Sequence, residues 1–252
     1  MPSANPNLQN SLQAVADAYD RYADRIRDGG YRSVWSYIAT KVLPDWALLA
    51  GIDLKGKWIL NIGCGEPIDE LFFARHGMRR WVALARSQKM LAAARDILGR
   101  ELSAPFASRI ALCAADAGHL PFRDATFDLV VSFSVPEHIP DPMARHQAFA
   151  QIARVTRPEG HVAITVPNRY GLFFFCHWRN MGRGIAEDGY SYLYSPREFR
   201  ATLLRVGLRP VRLQSELTGL VELPSYLPNW PRALLRRFGY FGERIGYLSR
   251  RC

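Results

Sequence analysis

Between residues 57 and 166 the chain alternates short apolar runs with stretches of helical periodicity, and no other feature limits its fold as tightly. Lys57 to Ile62, Trp81 to Leu84, Arg109 to Cys113, Phe127 to Phe133 and His161 to Val166 each suit a short buried strand. Helical spacing fills the intervals at Ile68 to His76, Lys89 to Gly99 and Met143 to Val155, the last stopped near Pro158. Right-handed crossovers between parallel strands lay each helix over the sheet. The alternation therefore predicts a doubly wound, Rossmann-like, mostly parallel α/β sheet. A chain of 252 residues, 48% of them hydrophobic, can bury one such core.

From Leu12 to Leu49 the residues Val15, Tyr19, Tyr22, Ile26, Val34, Tyr37 and Ile38 follow helical intervals broken at Gly29 and Gly30, which predicts an N-terminal helical cap over residues 1–50. The α/β domain then spans 51–220. Beyond Asn168 the aromatic stretch Tyr170 to Trp178 and the loop Met181 to Gly189 form a cap segment. Ser195 is a good N-cap with Pro196 at the first helical position, so a helix should run to about Val206, followed by a strand from Leu208 to Leu217. Residues 221–252 read as a basic C-terminal extension: Pro224, Pro228 and Pro231, then a helix carrying Arg232, Arg236, Arg237, Arg244, Arg250 and Arg251.

The 33 Lys and Arg against 23 Asp and Glu favour anionic partners without choosing among them. In the C-terminal tail Leu234, Leu235, Phe238, Phe241, Ile245 and Leu248 interleave with arginines, as in a helix making peripheral contact with an anionic membrane. An ordinary packed helix has the same pattern, and Gly239, Gly242 and Gly246 weaken either helix. No nucleic-acid recognition motif accompanies the charge. The scattered Cys64, Cys113, Cys176 and Cys252 form neither a disulfide framework nor a zinc pattern. With no secretory signal and no apolar run of about 18 residues, a cytoplasmic location is expected.

Chemistry enters at Asn61-Ile62-Gly63-Cys64-Gly65. A glycine turn between strand and helix brings backbone close to a ligand, beneath the unsatisfied N–H groups of the helix start. Later come Ala115-Asp116-Ala117, Leu120-Pro121-Phe122, Phe127-Asp128-Leu129-Val130-Val131, Glu137-His138 and Arg154-Val155-Thr156-Arg157-Pro158-Glu159-Gly160. In this order the series resembles the small-molecule, UbiE-like branch of the class I S-adenosylmethionine (SAM) dependent methyltransferases, over about Lys57 to Asn168 and more faintly Tyr190 to Gly207.

That resemblance implies a sheet with a reversed last strand and SAM across its strand ends. It implies Gly63 and Gly65 beside the methionine part, Asp116 on the adenine amino group with Ala117 beside the ring, and Ser132, Phe133, Ser134 and Val135 as the floor near the methyl group. Tyr22 would close over the cofactor. The plain readings stay beside these: Asp116 as the cap of its own turn, and Cys64 as a small apolar filler.

Two departures remove negative charge. Asn61 stands where an acidic residue commonly helps hold the SAM ammonium group. Ala85, 20 residues after Gly65, stands where one commonly holds the ribose hydroxyls. Glu66 could restore the first carboxylate, and Arg86 or Ser87 could reach the ribose. The competing reading is a scaffold that has lost methyl transfer and serves as a binding or regulatory protein, or as a repurposed enzyme.

For methyl transfer the acceptor must be aligned and, if it is a hydroxyl or acidic carbon, deprotonated. His138 is the candidate base, since imidazole titrates near neutral pH; alternatively Glu137-His138 shapes the turn before Pro140. Phe173, Phe174, Phe175, Trp178, Tyr190 and Tyr192 would line a pocket for a small or lipid-like organic acceptor, or form core beneath a long connection. Restoring the missing ribose acid with Ala85→Asp should tighten S-adenosylhomocysteine, by up to about tenfold, in calorimetry. No gain would mean that position 85 does not face the ribose.

Overall fold

The computed structural model describes residues 20, 43–74, 76–171, 190–216 and 244–252. The described elements are α1 (Leu43–Ala47), β1 (Trp58–Ile62), α2 (Ile68–Phe73), β2 (Arg80–Ala85), α3 (Gln88–Glu101), α4 (Ala104–Ala107) and β3 (Ile110–Ala114). They continue with β4 (Phe127–Phe133), a single 3-10 turn (Pro136–His138), α5 (Pro142–Val155), β5 (Thr156–Pro167), α6 (Pro196–Arg205), β6 (Leu208–Glu216) and β7 (Arg244–Arg251). The seven strands form one sheet in the order β3-β2-β1-β4-β5-β7-β6. Strands β1 to β5 pair in parallel, and β7 runs antiparallel to both its neighbours.

Strand periodicity divides the core in two. Ile59, Trp81, Ala83, Leu129, Val131 and Leu248 face one layer, where Trp46 of α1, Phe73 of α2 and Met90 and Ile97 of α3 pack on them. Leu60, Ile62, Val82, Leu84, Val130 and Tyr247 face the other, beneath Phe149 and Ile152 of α5 and Phe199 and Leu203 of α6. Successive strand residues point to opposite faces, so unbroken apolar runs are what a sheet covered on both sides requires. Residues 43–49, expected as the end of a separate cap, belong to this core through Trp46, Leu48 and Leu49.

Ser195 caps α6 as expected: its side chain accepts the Glu198 N–H, and the Glu198 carboxylate accepts from the Ser195 backbone, a complete capping box. The expected stop at Pro158 moves. α5 ends at Val155 and Pro158 lies within β5, where the pairing with β4 shifts register after Phe127 and Glu159 takes a positive φ of 61°. A proline is tolerated at such an irregularity because no regular ladder bond is lost.

The C-terminal helix is corrected more substantially. Arg244–Arg251 is a strand inserted between β5 and β6, so the end of the chain completes the sheet. Ile245 and Leu248, read as the apolar side of a membrane-contacting helix, are buried in the two core layers. A short apolar-basic segment fits either period, and two open strand edges decide in favour of period two. The arginines of this strand are held by hydrogen bonds and ion pairs. Arg244 Nη2 donates to Asp45 Oδ1 at 2.7 Å and Thr165 Oγ1 at 2.6 Å, and Arg250 pairs with Glu159 at 3.2 Å. The rest of the expected extension, including Leu234 to Phe241, lies outside the described residues. Among the described residues no helix is long and apolar enough to cross a membrane.

Gly246 lets β7 fit beneath α1. A Cβ there would lie 2.6 Å from Leu48 Cδ1 and 2.8 Å from Thr165 Cγ2. Gly246→Ala is therefore expected to destabilise the fold by about 1–3 kcal/mol through overpacking, read as a lower midpoint in denaturant unfolding.

Candidate active site

The sheet changes direction at β1, whose chain neighbour β2 lies on one side and β4 on the other, and ligand crevices of open α/β sheets form at such points. At its carboxyl end the chain turns through Gly63, φ 79°, and Gly65, φ 47°. Both the Gly63 and Cys64 N–H groups donate to Leu84 O of β2, at 2.7 and 3.0 Å. A Cβ on Gly63 would stand 2.2 Å from Val135 Cγ2, so the loop after β4 closes against this turn and only glycine fits. Ala85 and Ala114, the last residues of β2 and β3, are in register beside it. The residues expected around SAM on β1, β2, β3 and β4 thus share one sheet edge.

Asn61 is buried at 1% exposure, with its amide engaged inward: Nδ2 donates to Glu70 Oε1 at 2.8 Å and lies 3.5 Å from Asp69 Oδ2. Glu70, 0% exposed, also accepts from Trp81 Nε1 at 2.9 Å, and Asp69 accepts from Trp46 Nε1 at 2.7 Å. The carboxylates missed in the sequence therefore stand one helix away from the position where one was lacking. The signal was present: α2 starts just after the glycine turn, so residues 69 and 70 fold back toward the end of β1.

Burial raises the Glu70 carboxyl to about 8, and the Asp69 charge adds to the rise. Burial also lifts Asp69, to about 7, although its surface is only partly covered. Cys64 is buried beside them. Burial first, then the Glu70 and Asp69 charges, raise its thiol well above the ordinary range, which suits a filler and not a nucleophile.

At the end of β2, Ala85 is buried and Arg86 exposed. The Ser87 hydroxyl caps α3 by accepting the Met90 N–H at 3.1 Å and donates its proton to Asp20 Oδ1 at 2.7 Å. Beyond β3, Asp116 Oδ1 accepts the Gly118 N–H at 2.7 Å and lies 3.6 Å from His119 Nδ1. That is the turn cap expected as the plain reading. The Asp116 side chain is nonetheless 52% exposed, and Ala117 packs against the core edge next to it. Glu66 is half-buried just after the glycine turn. Tyr22 lies outside the described residues, as do Phe173, Phe174, Phe175 and Trp178.

The end of β4 holds polar groups in a dry setting. Ser132 is buried with its Oγ lacking a hydrogen-bond partner among the described residues, and so is Glu137 Oε2; burial raises the Glu137 carboxyl. Phe133 and Ser134 are half-buried, and Ser134 takes a positive φ of 56°. Such orphaned atoms suit a site that takes a polar ligand. His138 Nδ1 faces Tyr190 O at 3.0 Å. A carbonyl only accepts, so Nδ1 carries a proton and the ring is oriented by this bond. Tyr190 and Tyr192, expected in a pocket wall, brace this turn. Tyr192 N–H donates to Glu137 O at 2.9 Å, and its ring lies under the Arg145 guanidinium at 3.9 Å.

Residues 60–164 match the model of the methyltransferase domain family. The 27-O-demethylrifamycin SV methyltransferase of Amycolatopsis mediterranei is 31% identical, across 99% of this chain and 89% of that protein. The chain belongs to the class I SAM-dependent methyltransferases. It is also 28% identical to the ubiquinone/menaquinone biosynthesis C-methyltransferase UbiE of Saccharophagus degradans, over 75% of this chain and 74% of that one. Its fold matches the methyltransferase in a complex with the Haloferax volcanii Trm112 activator, at a TM-score of 0.66 and 20% identity, covering 92% of this chain and 96% of that one. This methyltransferase is thus a SAM-dependent enzyme of the small-molecule type, and the buried Ser132 Oγ and Glu137 Oε2, without a hydrogen-bond partner among the described residues, are chemically suited to such a polar cofactor.

The buried acids carry a pH signature. Glu70 binds its proton more tightly folded than unfolded, so its contribution to stability is full below the ordinary carboxylate range and is lost as pH rises through about 8. Urea unfolding of this methyltransferase should show stability falling as pH rises from the ordinary carboxylate range to about 8, with a flatter profile in Glu70→Gln. Parallel profiles would place the proton elsewhere.

Proposed function

We propose that this methyltransferase transfers the methyl group to a hydroxyl oxygen of a bulky small organic acceptor, with His138 as the base. The carrying observation is the placement of His138: its Nδ1 donates to Tyr190 O at 3.0 Å, which orients the imidazole in the turn at the carboxyl end of β4. The full-length relative named for 27-O-demethylrifamycin SV supports an oxygen acceptor on a large ring compound.

SAM, when bound, would supply a methyl group on a positively charged sulfur, a leaving group able to take the carbon–sulfur electron pair. The chain's residues bind, align and deprotonate. Gly63, Cys64 and Gly65 border the methionine part, with Glu66 beside its ammonium group. Asp116 accepts from the adenine amino group through the carboxylate oxygen that the turn leaves over, and Ala117 flanks the ring. Ala85, Arg86 and Ser87 form the ribose corner. Ser132, Phe133 and Ser134 make the floor. Asn61 acts at one remove, by holding Glu70.

His138 is positioned from two sides. Arg145, buried at 6% exposure, donates to Ile139 O at 2.6 Å, and through its contact with Tyr192 it clamps the turn against residues 190–194. This rigidity suits proton transfer, in which a misplaced base loses most of its effect.

The test pairs a panel of macrocyclic and phenolic alcohols, 27-O-demethylrifamycin SV among them, with release of S-adenosylhomocysteine. At least one is expected to turn over. His138→Ala should then lower kcat by about 100-fold or more while the Kd of S-adenosylhomocysteine changes little. Unchanged turnover would remove His138 as the base, and conversion of nitrogen acceptors alone would overturn the oxygen assignment.

A further inference from the structure

We infer that Asp20 supplies the ribose-binding carboxylate that β2 lacks, so that the diol of an adenosyl ligand is held by an acid 67 residues away in sequence from the Ser87 it contacts. The inference rests on the reading above, in which the crevice at the ends of β1, β2 and β3 takes that ligand.

Nucleotide sites of this architecture place an acidic residue about 20 positions after the glycine turn, because a carboxylate accepts both ribose hydroxyls at once. Ala85 occupies that place and brings no polar atom. Its neighbours are poor substitutes. Arg86 is exposed and donates only. The Ser87 hydroxyl already has its proton directed at Asp20 and one lone pair occupied by the Met90 N–H. Among the described residues, the carboxylate found against this corner is that of Asp20.

The geometry keeps it available. Asp20 Oδ1 takes the Ser87 proton at 2.7 Å, and Oδ2 lies 3.7 Å from Lys89 Nζ, so both oxygens are oriented. A carboxylate offers about four acceptor positions, and these two contacts do not fill them. The Asp20 side chain is 41% exposed, which leaves a face for a ligand. The start of α3, a 14-residue helix, favours negative charge at this spot. Ser87 and Lys89 thus do for a carboxylate brought from a distant segment what β2 does for one on its own last residue: they fix its position beside the crevice.

A tether between the N-terminal segment and α3 would use the same two contacts. The alternatives separate through the ligand, because a tether is indifferent to ribose hydroxyls. Calorimetry with S-adenosylhomocysteine and its 2′,3′-dideoxy analogue, on wild type, Asp20→Asn, Ala85→Asp and the double variant, distinguishes them. Asp20→Asn should weaken S-adenosylhomocysteine by about tenfold to a hundredfold. It should leave the dideoxy analogue within about twofold. Adding Ala85→Asp should recover most of the loss, and the gain should exceed that of Ala85→Asp in wild type, since the two acids serve the same diol. Equal weakening of both ligands, or of neither, overturns the assignment of Asp20 alone. Failure of the wild type to bind S-adenosylhomocysteine at millimolar concentration overturns the crevice assignment itself, and this one with it.

Discussion

The approach of Gly63 to Val135 governs the rest of the site. A Cβ at Gly63 would sit 2.2 Å from a Val135 methyl, so the turn after β1 and the loop after β4 meet with no side chain between them. The two successive N–H bonds to Leu84 O tie the same turn to β2. Three strand ends are thereby locked around one small loop. These internal contacts fix the backbone that lines the crevice, which lowers the cost of ordering a site on binding.

Around this frame the chain arranges negative charge unusually. The end of β1 carries an amide, and the carboxylates stand on α2, where Asn61, Trp46 and Trp81 satisfy them. Burial favours the neutral form of a carboxyl, which is the direction seen at Glu70 and, against the opposing pull of His138 and Arg244, at Glu137. Asp45 is paired at 2.7 Å with Arg244 of the last strand. The buried Asp45 and Thr165 are both bonded by Arg244 of β7. Insertion of β7 between β5 and β6 closes the sheet, positions the Asp45 partner and, through Arg251, contacts the carbonyls of Arg154 and Thr156.

The parallel half of the sheet was legible because its signals are local. Lys57 to Ile62 or Phe127 to Phe133 is too short and too uniformly apolar for anything but a strand covered on both faces, and Ser195-Pro196 announces its helix by capping chemistry alone. The glycine turn and the ordered pieces after it also marked the crevice. The C-terminal strand was not legible. Ile245, Tyr247 and Leu248 among glycine and arginines satisfy two periods equally, and the choice belongs to the open edges of β5 and β6, which no local window contains.

The sequence by itself determined the layered α/β class, the turn at Gly63 and Gly65, and the absence of acidic residues at 61 and 85, because each is a matter of residue type and spacing along one stretch. Only the tertiary structure decided which polar groups meet. Glu70 comes to Asn61 through the turn into α2, Asp20 comes to Ser87 across 67 residues, and His138 is oriented by a carbonyl 52 residues onward. Hydrogen bonds act over about 3 Å whatever the separation along the chain, so partners distant in sequence become visible only once the sheet has brought their segments together.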